Sequence, residues 1–206
     1  MEKAEVVELI NQSIFDDAGK SNRTALQLIS THKPKASLEF LLNTLPTASC
    51  DKRYDIFKAL EVYKDESMIE PLLEDIRRQE AKNFPCTPGS SLGHGKSQRY
   101  ILGSLPDDMR KGFVPEMLAD KDTKIVMIGT RMLAEHPTDW GVEQIVSLLD
   151  HSDNLVVMTA LNNLSQTGLP SAKAPLQQFV RGGPKRFKPL AKENLSILKK
   201  PIKARR

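Results

Sequence analysis

The densest group of side chains able to do chemistry is cationic. Arg181, Lys185, Arg186, Lys188, Lys192, Lys199, Lys200, Lys203, Arg205 and Arg206 fall within 26 residues. At that density they could contact several phosphates, giving nucleic-acid binding that is salt-dependent and largely indifferent to sequence. If 184–198 is helical, the spacing of Lys185, Lys188 and Lys192 puts them on one helix face. Phe187 is the single aromatic interleaved among them, which leaves little for base stacking. The same residues suit an acidic protein surface, or simply a solvated chain end. Residues 1–80 carry 11 Lys/Arg against 15 Asp/Glu and residues 81–170 carry 8 against 10, whereas 171–206 carry 11 against one. The formal net charge of +4 therefore belongs to the C-terminal end alone.

Other candidates are weaker. Gly95-Lys96-Ser97, within GSSLGHGKS, has the ending of a phosphate-cradling glycine loop. The leading Gly89 stands one residue too early for G-x4-G-K-[ST], and the flanking segments read as helices where a strand is required. His32, His94, His136 and His151 form no ligand spacing and join no acid cluster, so no metal is expected. Cys50 and Cys86 have no partnered histidine and form no framework, which makes a reducing compartment the default. No basic-then-apolar leader opens the chain, and no stretch approaches the roughly 18 apolar residues of a membrane span. The expectation is a cytoplasmic protein with no catalytic residue, no cofactor and no contact with membrane.

The elements that must position these residues come from a repeat of 31. One helix face gives Leu38, Ile69, Val114, Ile145 and Leu176. A second gives Leu41, Leu72, Met117, Leu148 and Phe179, and a third gives Leu42, Leu73, Leu118, Leu149 and Val180. All fifteen are apolar in a chain that is 39% hydrophobic, so the stripe is not chance. A partner helix repeats Leu26, Phe57, Leu102, Leu133, Leu164 and Leu195. Four residues before the leucine, Gly129, Ala160 and Ala191 would let helices approach closely. Asp122 and Asp153 stand at N-cap positions. One step is 45 residues, and the excess falls in 83–96, NFPCTPGSSLGHGK, whose Pro, Gly and Ser cannot continue a helix.

The unit resembles the short HEAT-like repeat of about 30 residues found in phycobilin lyases and bacterial scaffold proteins, with the first helix D-x-x-V-R-x-x-A-x-x-A-L-G. Asp122, Ile125, Val126, Gly129, Met132, Leu133 and Ala134 match it once, and Asp153, Val156, Val157, Ala160, Asn163, Leu164 and Ser165 match it again. Valine replaces the motif's arginine at 126 and 157. The resemblance implies an all-α fold, an α-α superhelix (a HEAT-like solenoid) of about six helix pairs. It would occupy 1–199 as one array, with the 83–96 loop inserted and a basic tail at 200–206. The repeated His-Glu pairs of HEAT-like iron hydroxylases are missing here. Similarity to HEAT-like DNA glycosylases is at fold level, although Trp140 beside Asp139 is the kind of residue they use.

Next to the apolar stripe, the second helices would present Glu39, Glu70, Glu74, Glu116, Asp150, Gln178 and Arg181. This row, with His94 and Lys96 from the inserted loop, suits a polar extended partner. The leading expectation is a non-enzymatic scaffold or adaptor that binds a protein through this face. The alternative is a nucleic-acid-binding repeat protein that uses the basic end.

Overall fold

In the computed structural model, which describes residues 22–79 and 94–199, helices begin where a short polar side chain can accept an otherwise unpaired backbone N–H. Asn22 accepts from Thr24 at 3.0 Å, Thr138 from Gly141 at 3.1 Å, Asp122 from Lys124 at 2.9 Å and Asp153 from Leu155 at 2.8 Å. Both aspartates assigned as caps from the repeat thus act as caps. The helices are α1 (Arg23–His32), α2 (Lys35–Thr44), α3 (Cys50–Leu60), α4 (Ile69–Gln79), α5 (His94–Gly103), α6 (Asp107–Leu118), α7 (Thr123–Glu135), α8 (Asp139–Ser147), α9 (Asn154–Thr167), α10 (Lys173–Gly182) and α11 (Lys188–Lys199). Short 3-10 turns join several of them, and the described residues contain no strand. The fold is all-α, as the periodicity requires.

The chain divides into two compact units, Met1–Pro106 and Asp107–Arg206. In the first, α1 packs on α3 and α3 on α5, forming a layer against which α2 and α4 lie. In the second, α7 packs on α9 and α9 on α11, while α6, α8 and α10 form the other layer. Of the fifteen stripe positions, only Ile69 and Val180 are half-buried, and the rest are buried. Ala160 and Ala191 are fully buried, and Gly129 is buried within α7. A Cβ at Gly129 would sit 3.1 Å from Leu118 Cδ2, so the close approach read from the small residue is present. Hydrogen bonds also tie α9 to α11, since Ser165 Oγ donates to Asn194 Oδ1 at 2.7 Å and Asn194 Nδ2 donates to Asn162 Oδ1 at 2.9 Å.

The first unit holds its helices differently. The register that carries Gly129, Ala160 and Ala191 carries Arg53 and Gln98 there, each four residues before its core Phe57 or Leu102. Both are buried, and both reach Asp75 on α4, which is 1% exposed. Arg53 pairs with Asp75 and donates to the Leu45 carbonyl at 2.9 Å, while Gln98 Nε2 donates to the same Asp75 oxygen. Valine at 126 and 157 pointed away from any Asp–Arg ladder. In this unit a charged pair does bind helices together, from a different register position.

Tyr63 closes the first unit near α2. Its hydroxyl donates to the Pro34 carbonyl at 3.1 Å, and burial pushes its pKa up to about 12. A phenol that ionises later in the folded state than at its ordinary value of 10 favours folding below pH 10. That contribution is lost as pH rises from 10 through 12. An absorbance titration of phenolate should show a step near pH 12 that disappears in Tyr63→Phe. A curve unchanged by the substitution would count against this burial.

Two findings depart from the sequence reading. Cys50 is disulfide-bonded, where the cysteine spacing gave no framework. Residues 83–93 of the inserted loop lie outside the described residues, but α5 begins at His94. His94, Gly95 and Lys96 therefore belong to its first turn. Among the described residues, no helix is long and apolar enough to cross a membrane.

Candidate functional site

The second helices make their main contacts with the layer behind them rather than with one another. A groove of about 400 Å3 opens between the C-terminal end of α8 and the length of α10. Val146, Leu149 and Asp150 line one side, with Pro175, Gln178, Phe179 and the turn Gly182–Pro184 on the other. Leu149 and Phe179 are 8% and 7% exposed, so they give the groove an apolar lining while remaining part of the core. Asp150 and Gln178 are exposed on its rim.

The turn that shapes the groove follows from its glycines. Gly183 N–H donates to the Phe179 carbonyl at 2.8 Å, and a Cβ at 183 would lie 2.6 Å from that oxygen, so only glycine fits. At Gly182 a Cβ would meet nothing within 4 Å. That position is merely empty, and the emptiness is part of the groove. Lys188 Nζ donates to the Arg181 carbonyl at 2.7 Å and so caps the end of α10.

A smaller groove, about 210 Å3, occupies the same register of the first unit between α2 and α4. Leu42 and Leu149, Asn43 and Asp150, Pro71 and Gln178, and Asp75 and Gly182 are paired lining residues, each pair 107 apart (149 less 42). Where the second unit has Gly182, the first has Asp75, tied into its buried network. Glu74 and Arg78, one turn apart on α4, pair along the rim at 3.1 Å.

In the first unit, Glu39, Glu70 and Glu74 are all exposed, and Glu70 lies 3.5 Å from Arg77. In the second, Glu116, Asp150, Gln178 and Arg181 are all exposed, on α6, the turn after α8, and α10. Asp150 and Gln178 come together in the groove, and Arg181 follows Gln178 by three residues. The side chains of His94 and Lys96 lie outside the described residues.

At the basic end, Lys185 and Arg186 lie in a 3-10 turn rather than on the helix, which begins at Lys188. Lys185, Lys188 and Lys192 therefore share no single α-helical face. Arg181, Lys185, Arg186 and Lys192 are exposed, Lys188 is half-buried, and Arg186 lies over the ring of buried Phe187 at 4.8 Å. Among the described residues, no acid lies within salt-bridge distance of these five. The Lys199 side chain and Lys200, Lys203, Arg205 and Arg206 lie outside the described residues.

Two of the histidines are in structural positions. His136 ends α7 half-buried and its carbonyl accepts from Arg110 at 2.9 Å, while His151 Nδ1 accepts from the Asp153 N–H at 3.0 Å. No group of three potential metal ligands occurs among the described residues. Trp140 is half-buried at the start of α8, with the Lys111 ammonium 5.9 Å from its ring centre.

No protein-family model matches the chain, and no curated protein matches it. Among solved structures it is similar to the complex of CpcE and CpcF of phycocyanin lyase from Nostoc sp. PCC7120. That match has 14% identity and a TM-score of 0.44, and covers 95% of this chain and 83% of that one. It is also similar to an engineered protein at 16% identity and a TM-score of 0.36, over 95% of this chain and 89% of the other.

Proposed function

We propose that this helical-repeat protein is a non-enzymatic scaffold or adaptor that holds a protein partner against the exposed row of its second helices. The observation that carries the reading is the separation of roles on those helices. One face supplies the buried stripe, while Glu116, Asp150, Gln178 and Arg181 stand exposed beside it, and Asp150 and Gln178 line a groove. A row held by packed helices needs little ordering on binding, which favours recognition. In the first unit Glu39, Glu70 and Glu74 offer an acidic counterpart, and His94 and Lys96 at the start of α5 belong to the same proposal.

The test uses Glu116→Lys with Arg181→Glu, two exposed changes that leave the core untouched. Capture of partners by the full chain should fall about tenfold or more, the range of paired interface charges. Reversal of Lys121, exposed outside the row, should have little effect. Equal capture by both variants would remove the row from the mechanism.

A second reading, nucleic-acid binding, is favoured by the exposed cations at Arg181, Lys185, Arg186 and Lys192 with no described acid beside them. Duplex binding should then weaken steeply between about 50 and 200 mM salt. It should be lost in the triple variant Lys185→Glu, Arg186→Glu, Lys192→Glu. Absence of binding at low salt would end that reading.

A further inference from the structure

We infer that the groove between α8 and α10 is a socket for one arginine side chain from an extended segment of the partner polypeptide. The inference rests on the scaffold reading and names what that face selects. Among the described residues, Asp150 is the one ionisable group lining the groove, and no cation lies within salt-bridge distance of it. It sits at the C-terminal end of the turn Leu148–Asp150 that continues α8, and α10 ends at Gly182 on the opposite side. Helix C-termini carry the negative end of the backbone dipole, so the α8 wall favours a cation beside Asp150, whereas the end of α10 already holds Lys188. The lining between them is apolar, from Val146, Leu149 and Phe179, and matches the aliphatic stem of a long basic side chain. The planar guanidinium can engage both oxygens of Asp150 and still donate to the Gln178 carboxamide, which a lysine ammonium does less well.

The rest of the rim narrows the partner further. Arg181 and Lys185 stand exposed next to the groove, and they oppose a run of basic residues. The segment therefore carries a single arginine between neutral or acidic neighbours. The equivalent groove in the first unit is not a second socket. Asn43 stands in place of Asp150, and the acids that line this groove are engaged, Glu74 with Arg78 and Asp75 with Arg53 and Gln98.

The experiment follows backbone amide shifts of the labelled full chain during titration with the blocked peptide Gly-Leu-Arg-Leu-Gly and its glutamate counterpart. The arginine peptide should move amides within 146–150 and 178–184 and bind about tenfold or more tightly than the glutamate peptide. Asp150→Asn should weaken it by about tenfold, the scale of one charge-assisted hydrogen bond. Gly182→Leu should abolish it. A Cβ at 182 meets nothing, so this variant fills the socket without disturbing the fold, and an unchanged thermal midpoint checks that. Shifts that fall elsewhere, or equal binding to Gly182→Leu, overturn the socket. A groove that ignores the arginine peptide, in a chain whose partner capture still depends on Glu116 and Arg181, overturns the socket alone and leaves the scaffold standing. Loss of that dependence removes the scaffold reading by itself.

Discussion

Asp75→Ala is expected to destabilise the first unit by about 3–5 kcal/mol, because it leaves the Arg53 guanidinium buried without its counter-charge. Arg53 is 1% exposed and Asp75 1% exposed, so water cannot replace the lost partner. Gln98 would lose its acceptor at the same time. Removing that much from a domain whose whole stability is about 5–15 kcal/mol should move a urea midpoint far to the left. The double variant Arg53→Met with Asp75→Leu should recover most of the loss, since no buried charge is then left alone. Glu74→Ala provides the control. Its pair with Arg78 is exposed, and such pairs contribute less than about 1 kcal/mol. A cost for Asp75→Ala no larger than for Glu74→Ala would contradict the buried network.

The fold was legible because the apolar stripe is a direct consequence of burial. Positions such as Leu41, Leu72 and Leu148 are apolar for the reason they are buried, and a period of 31 exposes that reason without any knowledge of neighbours. The caps at Asp122 and Asp153 were legible too, since an N-cap acts within two or three residues. The Arg53–Asp75–Gln98 network was not. Its members are 22 and 23 residues apart, and a polar residue in an apolar register reads as a break until its partner is known. Extending the small-residue position back from Gly129 to Gln98 and Arg53 would have been the available signal. The candidate row was legible as exposed polar positions, but the groove was not. It arises from missing side chains at Gly182 and Gly183, which from sequence look like nothing more than a helix stop. The disulfide at Cys50 had no local signature at all.

The register relation between the units makes a second large effect predictable. Arg53, Asp75 and Gln98 correspond to Ala160, Gly182 and Ala191, so one unit binds its helices through polar reach and the other through close approach. Ala160 is fully buried between the neighbours of α9. Ala160→Arg should therefore cost about 4 kcal/mol or more, combining an unpaired buried charge with overpacking of a close helix contact. Adding Gly182→Asp supplies the acid at the position where the first unit has it, and Ala191→Gln supplies the amide. If the two units share one architecture, the triple variant should be more stable than Ala160→Arg alone by about 1–3 kcal/mol, the range for a charged hydrogen bond. The comparison by urea denaturation also reports on the groove, because an aspartate drawn toward the introduced guanidinium would occupy the opening at 182. Such a chain should lose the arginine peptide even though it gains an acid beside Asp150. A triple variant no more stable than the single one would mean that the repeat register holds for the apolar stripe and not for the polar interior.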